Sequence, residues 1–457
     1  MKSPASILFL LPAVLSLYYV IRGSTEKAFL RVYLPSLLGL PFYYECQLPH
    51  MPPISAAEAA LLPIVVGACV QFLPRWRFSR MDLWVVLFLG SLTASELLRE
   101  SIFTNAMFTI ARGFTSMLFP YLVGRLLIEP KLRIATSKAI VVIILLLTAI
   151  GLYEFRMGLN LYAVVGSRIL DFVPWTVQLR NGRARIATSF SDAELAGIAF
   201  VVAIAFNYWL VYFNKARDYQ SNALGTWLSR LERYHIPGLV LLTLLLATQS
   251  RGPLLGAGVA LAVLQIPRFR NTKRATIVMA VLLIAGGLAA YSYFDHYASG
   301  ATFGASEQQA SASYRRQLVE NYKPIVEEGG WLGWGQLSHP SVRGQESIDN
   351  QYLQVQLGQG RIGLILFMLI GADTIWRLIC CTWRFQRRED IYFAFTLLAA
   401  VSSLWVTIGT VYLGEQLPQI AFLLIGWSHS LQESKAAYRS TSLSPNFARF
   451  KFKRVFA

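Results

Sequence analysis

Long apolar segments alternate with short basic segments along the chain. Leu195–Asn214, Ala275–Phe294 and Ile391–Gly414 each contain no charged side chain. A helix needs about 20 apolar residues to cross a hydrocarbon core of roughly 30 Å. Backbone groups in lipid must be paired within a helix or a closed barrel, and these segments lack the residue-by-residue alternation of barrel strands. The pattern therefore predicts membrane-spanning helices.

The basic segments predict the orientation of these helices. They are Arg75–Arg80, Arg125–Lys138, Lys215–Arg233, Arg268–Arg274, Arg377–Arg388 and Lys435–Arg454. Loops rich in Lys and Arg stay in the cytoplasm, which requires an even number of crossings between neighbouring basic segments. Two apolar segments lie between each basic segment and the next one. The predicted helices lie near 81–98, 102–124, 135–153, 190–213, 236–249, 253–267, 275–294, 352–376, 391–411 and 416–431.

Three further apolar runs precede the first basic segment, near 5–21, 30–44 and 55–73. The second is short and contains Pro35 and Pro41, so it either crosses the membrane or lies within it. The first resembles a signal peptide but has no evident cleavage site, which predicts an uncleaved helix. We expect an all-α, polytopic membrane bundle of 12–13 transmembrane helices. It would form one domain over 1–457, with a basic cytoplasmic tail at 435–457 and the side of the N-terminus left open.

The same topology places two long segments outside, 154–189 and 295–350. Loops of this length in a compact protein are usually functional or disordered. The stretch from Ala312 to Gly335 carries helix-forming residues with apolar side chains at helical spacing: Leu318, Tyr322, Ile325 and Val326. We expect the larger loop to contain a short amphipathic helix near the membrane surface, ending at the two glycines 329–330.

Composition narrows the alternatives for binding partners. The net charge is +17, yet only 15% of the residues are charged and 55% are hydrophobic. The cations follow the positive-inside pattern, and no zinc-finger spacing or basic–aromatic stripe accompanies them, so nucleic acid is not an expected partner. The four cysteines include one adjacent pair and no CxxC, which predicts neither a disulfide framework nor a metal site.

The first candidate for chemistry is Arg251, in the turn TQSRGPLLG at 248–256. This turn lies between two apolar runs, where a new helix begins beside Gly252 and Pro253. A guanidinium beside a helix N-terminus forms an anion site. The alternative is that Arg251 extends to phospholipid head groups. Arg112 lies deep within another predicted helix, and we expect it to face the bundle interior or a polar cavity, where it could line the site.

A second candidate is the cluster of Arg180, Arg183 and Arg185 in an outer segment. Spare arginines outside the membrane run against the positive-inside bias, and guanidinium groups bind phosphate oxygens in a bidentate way. The cluster therefore predicts a polyanion, such as a diphosphate, at the outer surface. Asp192 and Glu194 follow at the start of the next helix, where we expect them to cap it and to compensate its dipole.

The third candidate is the end of the larger loop. The GWG at 333–335 suits sugar stacking or membrane anchoring equally, and it is not a nucleotide fingerprint because no strand precedes it. Asp349 and Asn350 come just before Tyr352 at the start of the next helix. A carboxylate there can accept a proton from a sugar hydroxyl, and its alternative role is a helix cap. His339 lies earlier in the same loop and is the alternative base.

Four segments, in this order, resemble the bacterial O-antigen polymerase and O-antigen ligase superfamily. They are the outer Arg–Gly–Arg stretch leading to TSFSDAELAG, the SRG turn at 250–252, SASYRRQLVENYKPIVEEGGWLGWG, and DNQYLQVQLGQGRIG. The resemblance extends from about Arg180 to Gly363, with helices on both sides that suit the pattern.

The resemblance implies an enzyme of the bacterial inner membrane with its active site facing the periplasm. Members take a glycan from an undecaprenyl diphosphate carrier. Polymerases pass it to the sugar end of another lipid-linked repeat unit, as in O-antigen or exopolysaccharide assembly, and ligases pass it to lipid A–core. The reaction is expected to need no metal and no cofactor. The expected partners are the lipid-linked oligosaccharide and membrane lipid, with a chain-length regulator and export proteins as further candidates.

Residue roles carry over where the motifs match. Arg251 matches the SRG arginine, and Arg183 or Arg185 matches the earlier loop arginine. Arg251 and Asp349 are then the expected catalytic residues, and the expected substrate-binding residues are Arg180, Arg183, Arg185, Arg315, Arg316, His339, Asn350 and Tyr352. Ligases commonly have His-Asn where this chain has Asp349-Asn350, so the resemblance favours a polymerase.

Three alternatives remain at this stage: a ligase of the same superfamily, a transporter or flippase for lipid-linked oligosaccharide, and a structural subunit of an export complex. Transporters place polar sites near the midplane on broken helices. Here most candidate polar residues are predicted at the outer face, in loops, which favours the enzyme.

Overall fold

The computed structural model describes residues 4–72, 76–129, 131–170, 177–180, 182–212, 235–299, 307–345 and 347–442. The helices are α1 Leu11–Ile21, α2 Thr25–Ala28, α3 Leu34–Gly39, α4 Ala56–Phe72, α5 Arg80–Arg99, α6 Phe103–Gly113, α7 Phe119–Leu127, α8 Arg133–Met157, α9 Leu161–Leu170, α10 Ala193–Tyr212, α11 Ile236–Ala247, α12 Arg251–Gln265, α13 Thr272–Ser299, α14 Glu307–Gly329, α15 Gln351–Arg384, α16 Arg388–Thr407 and α17 Leu417–Ser442. Short 3₁₀ segments cover Pro4–Leu10 and Ile266–Arg268, and π-helical turns cover Phe29–Tyr33 and Phe114–Leu118. The strands form two antiparallel hairpins, β1 Glu45–Cys46 with β2 Ile54–Ser55, and β3 Leu179–Arg180 with β4 Arg183–Ala184.

The predicted all-α, polytopic membrane architecture is confirmed. Among the described residues, 7 helices are long and apolar enough to cross a membrane: Arg80–Arg99, Phe103–Leu127, Arg133–Met157, Ala193–Tyr212, Thr272–Ser299, Gln351–Arg384 and Arg388–Thr407. Shorter apolar helices lie at Ser6–Ile21, Ala56–Gln71 and Ile236–Ala247. The count of 12–13 crossings stays a prediction.

Two helices form the centre of the bundle. The apolar window of α10 is 78% buried and that of α16 is 83% buried, and α16 packs against α10, α12 and α15. In contrast, none of the corresponding window of α13 is buried. The bundle therefore has a packed core around α10 and α16 and a peripheral helix, α13.

Segments that the basic pattern predicts on the same side of the membrane contact each other. At one end, here called the site end, the backbone N–H of Ile186 donates to the carbonyl of Ala247 at 3.3 Å, and the N–H of Leu413 donates to the Gln351 side chain at 2.8 Å. At the other end, the basic end, Arg133 of α8 pairs with Asp390 of α16 at 2.8 Å. The helices thus run between two distinct loop layers.

A buried ion pair stabilises the basic end. Arg125 pairs with Asp82, and both side chains are almost fully inaccessible. The Tyr121 hydroxyl donates to the same carboxylate at 2.6 Å, and Arg125 also donates to the carbonyl of Arg77 at 2.6 Å. These extra hydrogen bonds offset the desolvation of the two charges.

The larger loop contains the predicted amphipathic helix. Helix α14 ends at Gly329, as expected from the sequence. Leu318, Tyr322 and Val326 are buried, and they pack against Ile348 and the first turns of α15. The apolar face of α14 is therefore covered by protein.

Helix α15 is broken at Gly360, which the sequence pattern did not predict. Gly360 has φ 67° and ψ −161°, and the GWG loop covers the break. The N–H of Trp334 donates to the carbonyl of Leu357 at 2.8 Å, and the N–H of Gly335 donates to that of Gly358 at 3.0 Å. Buried backbone groups that are freed by a break in a helix need such partners. The Trp334 indole donates to the carbonyl of Ile325 at 2.7 Å, so the loop anchors α14 to α15.

Replacing Gly333 by alanine is expected to destabilise this junction more than an ordinary glycine substitution. Its φ is +73°, and an added Cβ would meet backbone N of Gly360 at 2.5 Å. We expect a loss of about 1–3 kcal/mol in the free energy of unfolding. The matched control is Gly344→Ala, which has φ +80° but open space around it. Equal thermal midpoints of the two variants in detergent would contradict the close packing at Gly360.

Two predicted cytoplasmic segments lie largely outside the described residues. Lys215–Arg233 falls within 213–234, and most of the tail at 435–457 follows residue 442.

Candidate functional site

Arg185 is the best-anchored cation at the site end. It follows the hairpin β3–β4, and its side chain is buried. Its Nε donates to the carbonyl of Thr248 at 3.1 Å, and one Nη donates to the Ser250 hydroxyl at 2.6 Å. The other Nη donates to Gln178. These bonds fix the guanidinium beside the turn that starts α12.

Arg180 lies in the same region. Its guanidinium donates to the carbonyl of Gln249, a residue with a left-handed φ of 52°. Burial, followed by the charges of Arg185 and Arg251, lowers the pKa of Arg180 from its usual value. The charges of Arg185 and Arg251 thus act on Arg180, and an arginine nevertheless stays protonated.

Glu194 joins this cluster to the larger loop. One carboxylate oxygen lies 3.5 Å from a guanidinium nitrogen of Arg185 and 3.7 Å from one of Arg315. Arg315 lies on α14, and its Nε is buried with no hydrogen-bond partner among the described residues. Glu194 is the first-turn acid expected to act as a cap, but it instead bridges two arginines from separate segments.

Arg251 is the first residue of α12 and is exposed. Within the described part of the chain no carboxylate pairs with it. Ser250 occupies the capping position, yet its side chain accepts from Arg185 instead of capping the helix. The first N–H groups of α12, those of Arg251 and Gly252, therefore have no side-chain cap, and a helix N-terminus of this kind favours a negative ligand. An added Cβ at Gly252 would meet the Thr410 hydroxyl at 2.5 Å, which explains the glycine of the SRG turn.

Arg180, Arg185, Arg251 and Arg315 are thus brought to one place by the hairpin, the α12 turn and α14. We call them the arginine cluster. Four cations surround the bridging carboxylate of Glu194, and the carboxylates of Asp192 and Asp349 lie near it, so the four positive charges still exceed the three negative ones. This arrangement favours a compact, multiply charged anion.

The carboxylate of Asp349 lies near this cluster, close enough to Glu194 for their charges to interact. Asp349 is partly buried and accepts from the Ser347 hydroxyl at 2.9 Å. It does not cap α15. Asn350 does so, accepting from the N–H groups of Tyr352 and Leu353 at 3.0 and 3.1 Å.

Three other candidates are not shown to join the cluster. Arg183 is exposed on β4, directly across the hairpin from Arg180. Arg316 pairs with Glu320 at 3.0 Å and with Asp295 at 3.4 Å. The His339 ring nitrogen Nδ1 lies 3.4 Å from the adjacent Pro340 carbonyl oxygen. Their proposed substrate contacts stay predictions.

Tyr352 and Arg112 have protein partners. The Tyr352 hydroxyl donates to the carbonyl of Trp405 at 2.6 Å, so it is occupied. Arg112 was expected to face the bundle interior or a polar cavity. Its side chain is 44% exposed, so it does not lie in the packed interior, and the polar cavity stays a prediction. It pairs with Glu45 at 3.5 Å and lies over the ring of Phe42, since the β1–β2 segment supplies these partners at the site end.

Two acids, the buried Glu154 and the partly buried Glu415, form the frame of the site, and sequence reasoning missed both. Glu154 accepts from the N–H groups of Ala187 and Thr188 at 3.1 and 2.8 Å. Glu415 accepts from the hydroxyl and the N–H of Ser191. Burial raises the pKa of the Glu415 carboxyl above its usual value. The only signal in the sequence is an acid at the end of an apolar segment, which does not identify its partner.

Thr188, Gln249 and Glu415 all have left-handed backbones, with φ between 52° and 58°. Such conformations are costly for residues other than glycine and concentrate at functional sites. Each lies in a segment that contacts the arginine cluster or its frame. Among the described residues, no group of three or more His, Cys, Asp or Glu is placed to hold a metal ion.

Residues 236–368 match the model of the O-antigen ligase family. The matched part begins with α11 and ends within α15, so it includes Arg251, Arg315 and Asp349. It leaves out Arg180 and Arg185. The match confirms the resemblance to the O-antigen ligase and polymerase superfamily for this part of the chain and supports a multi-pass membrane enzyme of that kind. No curated protein matches the chain.

Proposed function

We propose that the protein is a polymerase that transfers a glycan from a polyprenyl diphosphate carrier to another lipid-linked repeat unit at the periplasmic face of the inner membrane. The observation that carries this proposal is the arginine cluster beside the uncapped N-terminus of α12, with Asp349 close by. The family match over 236–368 supports the same class of enzyme.

The cluster is suited to the diphosphate of the donor. Arg251 and the first N–H groups of α12 offer a site for one phosphate, and Arg180, Arg185 and Arg315 surround it with further donors. Arginine pairs with phosphate oxygens in a fixed, bidentate geometry. Because Arg185 is already fixed by Thr248 and Ser250, little reorganisation is needed when charge develops.

The transfer then needs one bond to form and one to break. The acceptor hydroxyl oxygen attacks the anomeric carbon of the donor sugar, and the bond from that carbon to the phosphate oxygen breaks. Its electron pair stays on the polyprenyl diphosphate, whose added charge the arginines stabilise. Asp349 takes the proton of the hydroxyl. No metal or cofactor is part of this proposal.

The acceptor distinguishes the polymerase from the ligase. Asp349-Asn350 stands where ligases commonly have His-Asn, and this difference favours the polymerase. The alternative of a transporter is disfavoured by the position of the polar groups. The arginine cluster is at the site end of the bundle, whereas transporters bind near the midplane.

The direct experiment is an assay with the purified full chain and polyprenyl-diphosphate-linked repeat units. A ladder of longer lipid-linked glycans is expected, formed without added lipid A–core. Transfer that occurs only when lipid A–core is present would favour the ligase. Movement of intact substrate across a vesicle membrane without new glycosidic bonds would favour the transporter.

The orientation is testable by cysteine labelling in spheroplasts, starting from a variant in which the four native cysteines are replaced. Glu327→Cys on α14 is expected to react with an impermeant maleimide added outside. Arg384→Cys, at the basic end, is expected to react only after lysis. The opposite pattern would place the arginine cluster in the cytoplasm and contradict the proposed site of reaction.

A further inference from the structure

A cavity of about 560 Å³ lies at the basic end, between the start of α13 and the end of α15. Its volume is in the range of small-ligand sites. The residues that line it are Arg270, Asn271, Thr272, Lys273, Thr382, Trp383, Phe385 and Ile391. The arginine cluster lies at the other end of the helices, so this cavity is a separate site.

The wall of the cavity is positively charged. Arg270 and Lys273 are both exposed, and no acidic residue lines the cavity. The nearest acids in sequence, Glu389 and Asp390, begin α16, and Asp390 pairs with Arg133. Two cations without a lining acid favour an anionic ligand.

Trp383, which lines the cavity, has a side-chain donor that lacks an acceptor among the described residues. The Trp383 indole nitrogen is buried, and within the described residues it has no hydrogen-bond partner. An indole N–H can only donate, and a buried donor is normally paired. Of the neighbouring polar groups, the Thr382 hydroxyl donates to the Ile379 carbonyl, and the Asn271 side-chain oxygen accepts from the Arg274 N–H. The Trp383 indole is therefore an unpaired donor at the cavity wall.

An apolar surface continues from the cavity along α13. Ile277, Val281, Ile284 and Leu288 lie on one face of this helix and are 57%, 59%, 65% and 68% exposed. A basic pocket that continues into an apolar face matches a charged head group with acyl chains. Basic pockets between transmembrane helices are used in this way for anionic head groups. A free phosphate ion would leave the apolar face of α13 unused.

We propose that this cavity binds the phosphate head group of an anionic glycerophospholipid. Arg270 and Lys273 pair with the phosphate, Trp383 donates to one of its oxygens, and the acyl chains lie along α13. The lipid then covers α13, the helix whose apolar window is not buried by the rest of the bundle. This site does not depend on the proposed glycosyl transfer.

The experiment measures retained lipid by native mass spectrometry of the purified full chain, titrated with phosphatidylglycerol or phosphatidylcholine. Wild-type protein is expected to bind phosphatidylglycerol on the order of tenfold more tightly than phosphatidylcholine. The double variant Arg270→Gln, Lys273→Gln is expected to lose this preference. Its control is Arg384→Gln, Arg387→Gln, which removes two exposed charges from the same end outside the cavity.

A second variant, Trp383→Phe, removes only the N–H donor and is expected to weaken phosphatidylglycerol binding while the thermal midpoint in phosphatidylcholine is unchanged. Equal losses in both double variants would show general surface attraction and overturn the site. If inorganic phosphate at the same concentration as the lipid displaced it completely, the cavity would be a site for simple anions, and the proposal of a lipid site would be wrong.

Discussion

Replacing Arg251 by alanine is expected to lower polymer formation per folded protein by about 10²–10³-fold, the loss that follows removal of one donor to a developing negative charge. Arg251 is exposed at the start of α12, and no carboxylate in the described part of the chain neutralises it. Its removal therefore breaks no ion pair there, and the folded state should be affected little.

Arg251→Lys separates the two interpretations of this residue. Lysine keeps the charge but loses the bidentate fork, so it should restore only part of the activity if Arg251 binds phosphate. An arginine that merely extends to lipid head groups would be replaced by lysine without loss. Arg316→Ala is the matched control for charge, since Arg316 pairs with Asp295 and Glu320. Equal activity of the wild type, Lys and Ala forms would remove Arg251 from the site.

Asp349→Asn is expected to lower turnover by about 10²–10⁴-fold, because the variant keeps the shape of the side chain but cannot accept a proton. Donor binding should be nearly unchanged, since the arginine cluster remains intact. The measurements are turnover in the polymerisation assay and binding of a short-chain prenyl diphosphate. Full turnover by the Asn variant would exclude Asp349 as the base.

Two further variants serve as controls for Asp349→Asn. Asn350→Ala removes the cap of α15 and should cost about 1 kcal/mol of stability without a comparable fall in turnover per folded protein. His339→Ala tests the other candidate. If it lowers turnover as far as Asp349→Asn does, the base is His339, and the position of Asp349 beside Glu194 has a different purpose.

The sequence was sufficient for the helices because apolar length and basic loops are local properties. Predicted segments such as 81–98 and 135–153 correspond to Arg80–Arg99 and Arg133–Met157. The break in α15 was not predicted, because a glycine such as Gly360 permits a break in a helix but does not require one. The break becomes necessary through the GWG loop, which is remote in sequence and supplies the backbone partners.

The cluster was only partly predictable. Arginines predicted at the outer face indicated an anion site, and Arg180, Arg185, Arg251 and Arg315 do lie near one another. The sequence could not show that Arg315 joins the cluster and Arg316 does not. Arg315 lies beside Glu194 of α10, whereas Arg316 pairs with Asp295 of α13, and these contacts depend on which faces of α14 meet the two helices. Glu194 was interpreted as a cap because the sequence does not show its tertiary contacts. A first-turn acid satisfies the capping pattern locally, and only the tertiary contacts show that it bridges Arg185 and Arg315.

The central claim is that the arginine cluster binds the diphosphate of the donor, and the most direct measurement is the affinity of the purified chain for a short-chain prenyl diphosphate. Arg251→Ala and Arg315→Ala should each weaken binding at least tenfold. Arg316→Ala, one residue further along α14, should weaken it less, because Arg316 is paired with Asp295 and Glu320. Affinity that is equal in all three variants, or lost equally in Arg315→Ala and Arg316→Ala, would contradict the claim.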